Sequence, residues 1–284
     1  AMGDCETQHC LTMSPPQNFF GLTLVVTHDC NLRCSYCYAG AKFYRTMPFV
    51  TGALAIDRAL RSLAPQGRLD LGFFGGEPLL ESARILDWME HARMQAELGN
   101  RRVGFNLTTN GTLVRPDAWN VMLADDLELA VSCDGTPASH DRHRRDARGD
   151  GSSAVVEHTL GELLIAGKSF RVVLVVRPDT LDAVADGVRH LHELGVRQFD
   201  LSLDLWTPWT SEDAASLGQL VETLAGLWRQ WLPDFGLNWF DCKLAALARL
   251  APERETTRCG FGGGEIAVAP SGRLYPCERL VGED

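Results

Sequence analysis

Gly21-Leu22-Thr23-Leu24-Val25-Val26-Thr27-His28-Asp29-Cys30-Asn31-Leu32-Arg33-Cys34-Ser35-Tyr36-Cys37 is an apolar run that ends in three cysteines. The apolar part has the composition of a β-strand. Three residues separate Cys30 from Cys34, and two separate Cys34 from Cys37. Three thiolates on one short loop can hold three corners of an iron–sulfur cube. A 4Fe–4S cube has four irons, so one iron is left for a small molecule. Zinc also takes closely spaced cysteines, but a structural zinc site is closed by four ligands. No His or Cys follows Cys37 within fifty residues, and His28 lies only two positions before Cys30. The motif by itself leaves both metals open.

Outward from this strand, apolar runs alternate with amphipathic ones. Strands are expected at 21–27, 69–74, 103–109, 127–133, 170–177 and 197–205, with helices near 51–64, 81–98, 115–125, 153–167 and 180–195. The strands are rich in Val, Leu and Phe, as strands covered on both faces would be. Gly99, Gly167 and Gly195 fall where helices should stop. Strict alternation implies a parallel sheet, and six units are too few for eight strands. The expected fold is therefore α/β, a partial (β/α)6 TIM-like barrel over 21–210, behind an N-terminal extension, 1–20. Linking helices are expected near 211–231 and 240–250. Pro270-Ser271-Gly272 then reads as the turn of a hairpin with Cys259 and Cys277 at its two ends.

In a parallel barrel, ligands gather at the C-terminal ends of the strands. The second strand ends in Gly75-Gly76-Glu77-Pro78, the third in Thr108-Thr109-Asn110-Gly111-Thr112, and the fourth in Ser132-Cys133-Asp134-Gly135, followed by His140-Asp141-Arg142-His143-Arg144. Paired glycines let backbone approach closely, Glu77 offers a carboxylate to a cation, and Arg144 suits a carboxylate. Asn110-Gly111 could equally be a plain turn.

CxxxCxxC followed by Gly75-Gly76-Glu77-Pro78 resembles the signature of the radical S-adenosylmethionine (SAM) enzymes. The resemblance implies a 4Fe–4S cluster on Cys30, Cys34 and Cys37, with SAM on the open iron. It implies that Tyr36 lies near the adenine and that Gly75, Gly76 and Glu77 bind the SAM ammonium. Asn110 would line the SAM site, and Ser132 and Arg144 would hold the ribose or carboxylate. Cys259, Gly272 and Cys277 resemble the opening of SPASM and twitch domains, which hold auxiliary iron–sulfur clusters. That module is expected from 257 to 284, and its later cysteines are not in this sequence, which leaves the auxiliary cluster in doubt. Glu278 stands where the anaerobic sulfatase maturases have an Asp proposed as catalytic base. Members of this branch mostly modify peptides or proteins. The expected activity is reductive SAM cleavage to a 5′-deoxyadenosyl radical that takes hydrogen from a ribosomally made peptide. A sulfatase Cys or Ser is the second substrate class, and small-molecule chemistry remains open. An iron–sulfur or zinc protein without catalysis is the non-enzyme alternative. The electron donor would be a flavodoxin or ferredoxin.

The bulk numbers fit this reading. Lys+Arg 27 against Asp+Glu 37 gives a net charge of −10, which argues against a nucleic-acid footprint. No apolar stretch is long enough to cross a bilayer, and no secretory signal pattern opens the chain. Nine cysteines, unevenly spaced, do not look like a disulfide framework. A cytoplasmic location is expected. Cys5, Cys10, Cys133 and Cys242 have no evident partner; buried apolar thiols or idle terminal ones are the plain reading.

Overall fold

The computed structural model describes residues 17–248 and 264–282, so Cys5, Cys10 and Cys259 lie outside the described residues. The first half alternates strictly. It runs β1 (Gln17–Thr27), α1 (Phe49–Ser62), β2 (Leu63–Gly75), α2 (Ser82–Leu98), β3 (Arg102–Thr109), α3 (Pro116–Met122) and β4 (Leu127–Ser132). Two helices follow, α4 (Pro137–His143) and α5 (Ser153–Ile165), then β5 (Phe170–Val176), α6 (Val184–Leu194) and β6 (Gln198–Leu203). The rest is α7 (Ser211–Trp231), β7 (Gly236–Leu237), α8 (Asn238–Leu247), β8 (Glu265–Val268) and β9 (Leu274–Tyr275).

All strands form one sheet, in the order β7-β6-β5-β4-β3-β2-β1-β8-β9. Every neighbouring pair is parallel except the β8–β9 hairpin. The result is a partial α/β barrel with β7 at one edge and β9 at the other. The sheet exceeds the expected six strands at both ends. Gly236-Leu237 is too short to show a pattern in sequence. Its place comes from the burial of Phe235 and Leu237 and from its pairing with Gln198 and Phe199. At the other end the hairpin is not a separate layer, because β8 pairs with β1 from Gly21↔Glu265 to Leu24↔Val268.

The helices cover one face of the sheet, the outer face of the partial barrel, and the other face is its interior. Leu22, Leu24, Leu69, Leu71, Phe73 and Phe105 enter one core with Ile56, Trp88, Val121 and Val188 from the helices. Each such side chain, fully buried, contributes about 1.5–3 kcal/mol. The alternate positions carry Asp70 on β2 and, on the neighbouring strands β4, β5 and β6, a ladder of Glu128, Arg171 and Asp200, with Arg171 2.9 Å from Asp200 and 3.8 Å from Glu128. The composition is apolar enough for both faces because β1, β4 and β5 also place small or apolar residues on the second face. Alternation alone separates the faces.

Helix ends follow local chemistry. Thr210 and Asp213 form a reciprocal capping box at the start of α7. Gly195 takes φ +112 at the end of α6. At the end of α2 Asn100 (φ +52), not Gly99, takes the left-handed position, a conformation asparagine tolerates. Cys133 is buried, as a small hydrophobe would be, whereas Cys242 is exposed on α8. Among the described residues no helix is long and apolar enough to cross a membrane.

Candidate functional site

The C-terminal ends of the parallel strands meet at one end of the sheet, and the three-cysteine loop hangs from the end of β1. It is pinned from both sides. The Asp29 carboxylate accepts from Cys30 N (2.8 Å). Arg33 N and Ser35 N donate to the carbonyls of Arg145 and His143 (2.6 and 3.0 Å), and Leu32 is buried. The Asn110 side chain donates to Asn31 Oδ1 (2.8 Å) and accepts from Thr112 N and Oγ1 (3.0 and 2.6 Å), with its amide 3.8 Å from Cys30 Sγ. Asn110 therefore braces the cysteine loop, with its amide already engaged by protein groups.

The glycine pair has a packing reason. A Cβ on Gly75 would sit 2.2 Å from Thr27 O, and one on Gly76 would sit 2.1 Å from Asp29 O. Without side chains the two backbones lock, through Gly76 N to Thr27 O (2.8 Å) and Glu77 N to Asp29 O (2.9 Å). What the glycines admit is the cysteine loop itself. Glu77 then points inward and is 1% exposed. Its Oε1 accepts from Thr109 Oγ1 (2.7 Å) and Leu79 N (3.0 Å), and its Oε2 from Asn110 N (2.7 Å). Burial pushes its carboxyl above the usual range, opposed by these donors. Three of about four acceptor positions are taken, so Glu77 both ties β2 to β3 and keeps one position toward the cavity.

Behind the loop lies a second network. Tyr36 donates its hydroxyl proton to Asp134 Oδ2 (2.5 Å) and accepts from Arg144 Nη1 (2.7 Å). Asp134 Oδ1 accepts from Val175 N (3.1 Å). Asp134 N donates to His140 Nδ1 (3.3 Å), which assigns the ring proton to Nε2, beside Ser152 Oγ (2.9 Å). Ser152 donates on to Arg144 O (2.8 Å), and Asp141 accepts from Ser152 N and Ser153 N (2.8 Å each). The His140-Asp141 pair thus holds the backbone from which Arg144 reaches the cysteines. Arg142 and Arg145 sit outside this network; Arg142 pairs with Asp179 (3.4 Å) and Arg145 donates to Gly149 O (3.0 Å).

These parts enclose a cavity of about 420 Å³, in the range of small-ligand sites. Cys30, Cys34, Cys37, Tyr36, Gly75, Gly76, Glu77, Asn110, Ser132, Arg144 and Glu278 all line it. Burial pushes the Cys30 thiol up to about 11 and raises that of Cys34, so loading a metal there must displace protons. Among the described residues no His, Cys, Asp or Glu side chains are grouped tightly enough to hold a single ion. Cys30, Cys34 and Cys37 all open onto the same cavity, which has room for more than a single ion. His28 does not turn toward them; its ring stacks on Phe43 at 4.6 Å. Arg144 Nε is buried with no hydrogen-bond partner, a donor left for an acidic ligand. The donor set and the room therefore fit a cluster with SAM.

Glu278 reaches the cavity because the chain after β9 turns in beside β1, where Val281 packs with Val25, Ala267 and Ala269. Cys277 does not line the cavity; its thiol points to Glu278 Oε2 at 3.5 Å. The sequence reading missed several lining residues. Asp204, Leu205 and Trp206 follow β6, and the strand-end rule would have found them. Lys42 and Tyr38 carried no pattern. Arg279, over the Tyr38 ring at 4.8 Å, likewise had no signal in the sequence.

Residues 24–167 match the model of the radical SAM superfamily. The chain belongs to that superfamily. This radical SAM enzyme is 26% identical over 274 residues to a cysteine-type anaerobic sulfatase-maturating enzyme of Clostridium perfringens, covering 89% of this chain and 72% of the relative. It is 22% identical to the subtilosin biosynthesis protein AlbA of Bacillus subtilis, covering 97% and 59%. The solved structure of native anSMEcpe with bound AdoMet superposes with a TM-score of 0.79 at 21% identity, covering 93% of this chain and 75% of that one. Streptococcus suis SuiB bound to its precursor peptide SuiA gives 0.65 at 15% identity, covering 93% and 61%. At these identities the structural likenesses establish the fold. Membership brings the cofactors of the superfamily, a 4Fe–4S cluster and SAM.

Proposed function

We propose that this radical SAM enzyme modifies a peptide or protein side chain, with a ribosomally made peptide as the leading substrate class. The observation that carries the reading is the cavity itself: three thiols, Glu77 and Arg144 face one space whose rim is large, apolar and exposed at Leu205 and Trp206 (77% and 81%). In support, one relative is named for subtilosin biosynthesis, and the SuiB structure holds a precursor peptide. A 4Fe–4S cluster and SAM held here would supply reductive SAM cleavage and, through it, hydrogen abstraction from the substrate.

The chain's own residues do the rest. Cys30, Cys34 and Cys37 hold the cluster. Arg144, fixed through Tyr36 and Asp134, offers Nε–H to the SAM carboxylate, and Glu77 offers its remaining acceptor position to the ammonium. Ser132 faces the same ligand from the end of β4. Tyr36, whose hydroxyl is committed, contributes its ring. The half-buried side chains of Val173 and Val175 give the cavity an apolar wall behind the reacting centre. Glu278 at the rim is placed to take a proton from the substrate. That position favours a second reading, formylglycine formation on a sulfatase, in line with the sulfatase-maturating relatives. Electrons would come from a flavodoxin- or ferredoxin-type donor. Cys259 lies outside the described residues, and the auxiliary cluster is not part of this reading.

The test is anaerobic reconstitution with dithionite and SAM, followed by chromatography of 5′-deoxyadenosine. Replacement of all three loop cysteines by Ala should abolish product and cluster absorption. Undiminished cleavage would overturn the ligand assignment. Incubation with peptides encoded beside the gene, or with a sulfatase peptide, should give a mass change in one of them.

A further inference from the structure

Lys42 is absorbed by none of these roles. Its Nζ lies 2.9 Å from Cys37 Sγ, and its charge is also felt at Cys30 and Cys34. The contact is not a chance placement of a long surface side chain. The segment that carries Lys42 is clamped on both sides. Before it, Tyr38 stacks on Phe74 at 6.3 Å, and after it Phe43 stacks on His28 at 4.6 Å. Further on, His28 N donates to Arg45 O (3.0 Å) and Met47 N to Val26 O (2.8 Å), a short antiparallel pairing against the end of β1. Lys42 is thereby returned to the loop that its own chain has just left. Arg144 is a second cation whose charge acts at Cys34.

We propose that Lys42 is a positioning residue that tunes the cluster by donating a charge-assisted hydrogen bond to the Cys37 sulfur. This rests on the reading of Cys30, Cys34 and Cys37 as the cluster ligands. Reduction adds one negative charge to the cluster and its thiolates. A cation and a hydrogen bond at a ligating sulfur favour the form with more negative charge, so they raise the reduction potential. The consequence is that the electron donor needs less reducing power to load this cluster.

The experiment is a mediated redox titration of anaerobically reconstituted protein, followed by electron paramagnetic resonance of the reduced cluster. Three variants are compared with the wild type: Lys42→Met, Lys42→Gln and Lys42→Arg. Loss of the cation should shift the one-electron equilibrium at least tenfold toward the oxidised form, a fall in midpoint of about 59 mV. Lys42→Gln should fall similarly, and Lys42→Arg should stay near the wild type. A midpoint unchanged in Lys42→Met overturns the proposal. If Lys42→Met does not load iron, Lys42→Gln against Lys42→Arg decides in the same way. A weaker SAM titration with an unchanged potential would also overturn it, by assigning Lys42 to SAM. Failure of the wild type to load iron on the three cysteines would instead sink the ligand assignment, and iron analysis separates the two.

Discussion

Replacement of Glu77 by Gln tests two roles of one carboxylate. Its oxygens accept from Leu79 N, Thr109 Oγ1 and Asn110 N at 3.0, 2.7 and 2.7 Å. A Gln side chain has one oxygen, so its NH2 must face either the Asn110 N–H or the Leu79 N–H. One buried backbone donor is then left unsatisfied, at about 1–3 kcal/mol, and the surviving bonds become neutral and weaker. Against this, the amide escapes the desolvation that raises the Glu77 carboxyl. The net expectation is about 2 kcal/mol of lost stability before any cofactor binds. For a chain of this size that lowers the melting midpoint by roughly 4–8 °C. Thermal unfolding of the cluster-free protein, followed by circular dichroism, measures it. An unchanged midpoint would refute the strut geometry. In the reconstituted enzyme, loss of the anionic acceptor should weaken SAM binding by about ten- to a hundredfold. Thr109→Val is the control, because it removes one donor and keeps the charge. It should cost about 1 kcal/mol of stability and leave SAM affinity near the wild type. If it weakens SAM as much as Glu77→Gln does, Glu77 acts by position and not by contact.

Burial, reinforced by the Arg144 charge, lowers the pKa of His140 from 6.5 to about 3. The unfolded chain therefore takes up a proton below pH 6.5 that the fold refuses, and stability is lost as pH falls from 6.5 toward 3; at pH 5 the loss is about 2 kcal/mol. His140→Gln should unfold with a shallower dependence between pH 7.5 and 5, and parallel urea midpoints for the two proteins would contradict this. Arg144→Lys keeps the charge but loses the planar fork, so calorimetry should show SAM binding weakened at least about tenfold; equal affinity would place the carboxylate elsewhere. Glu278→Gln should spare SAM cleavage in the absence of substrate yet lower modified product per 5′-deoxyadenosine by about a hundredfold, and an unchanged ratio would make Glu278 a rim acid without a proton to carry.

Much of this molecule is legible along the chain because its signals are local. The apolar run before Cys30 has to be a strand, and the alternation that follows has to be a parallel sheet. Three thiols within eight residues make a candidate metal-binding loop wherever the rest of the chain goes. Strand ends locate the other candidates, since in this fold a residue's position along a strand decides whether it meets the mouth. Glu77, Asn110, Ser132 and Arg144 are candidates of that kind.

Other properties exist only between segments distant in sequence. The reason for Gly75 and Gly76 is the backbone of Thr27 and Asp29, which no pattern around the glycines announces. Asn110 reads as a plain turn until Asn31 and Cys30 are beside it, and Lys42 reads as a loop charge until its segment folds back onto β1. Glu278 meets the cavity because β8 pairs with β1, a contact spanning more than two hundred residues. Propensity and periodicity report what a residue does with its near neighbours. Which donor meets which acceptor across the sheet is settled by packing, and that is where the sequence alone stops.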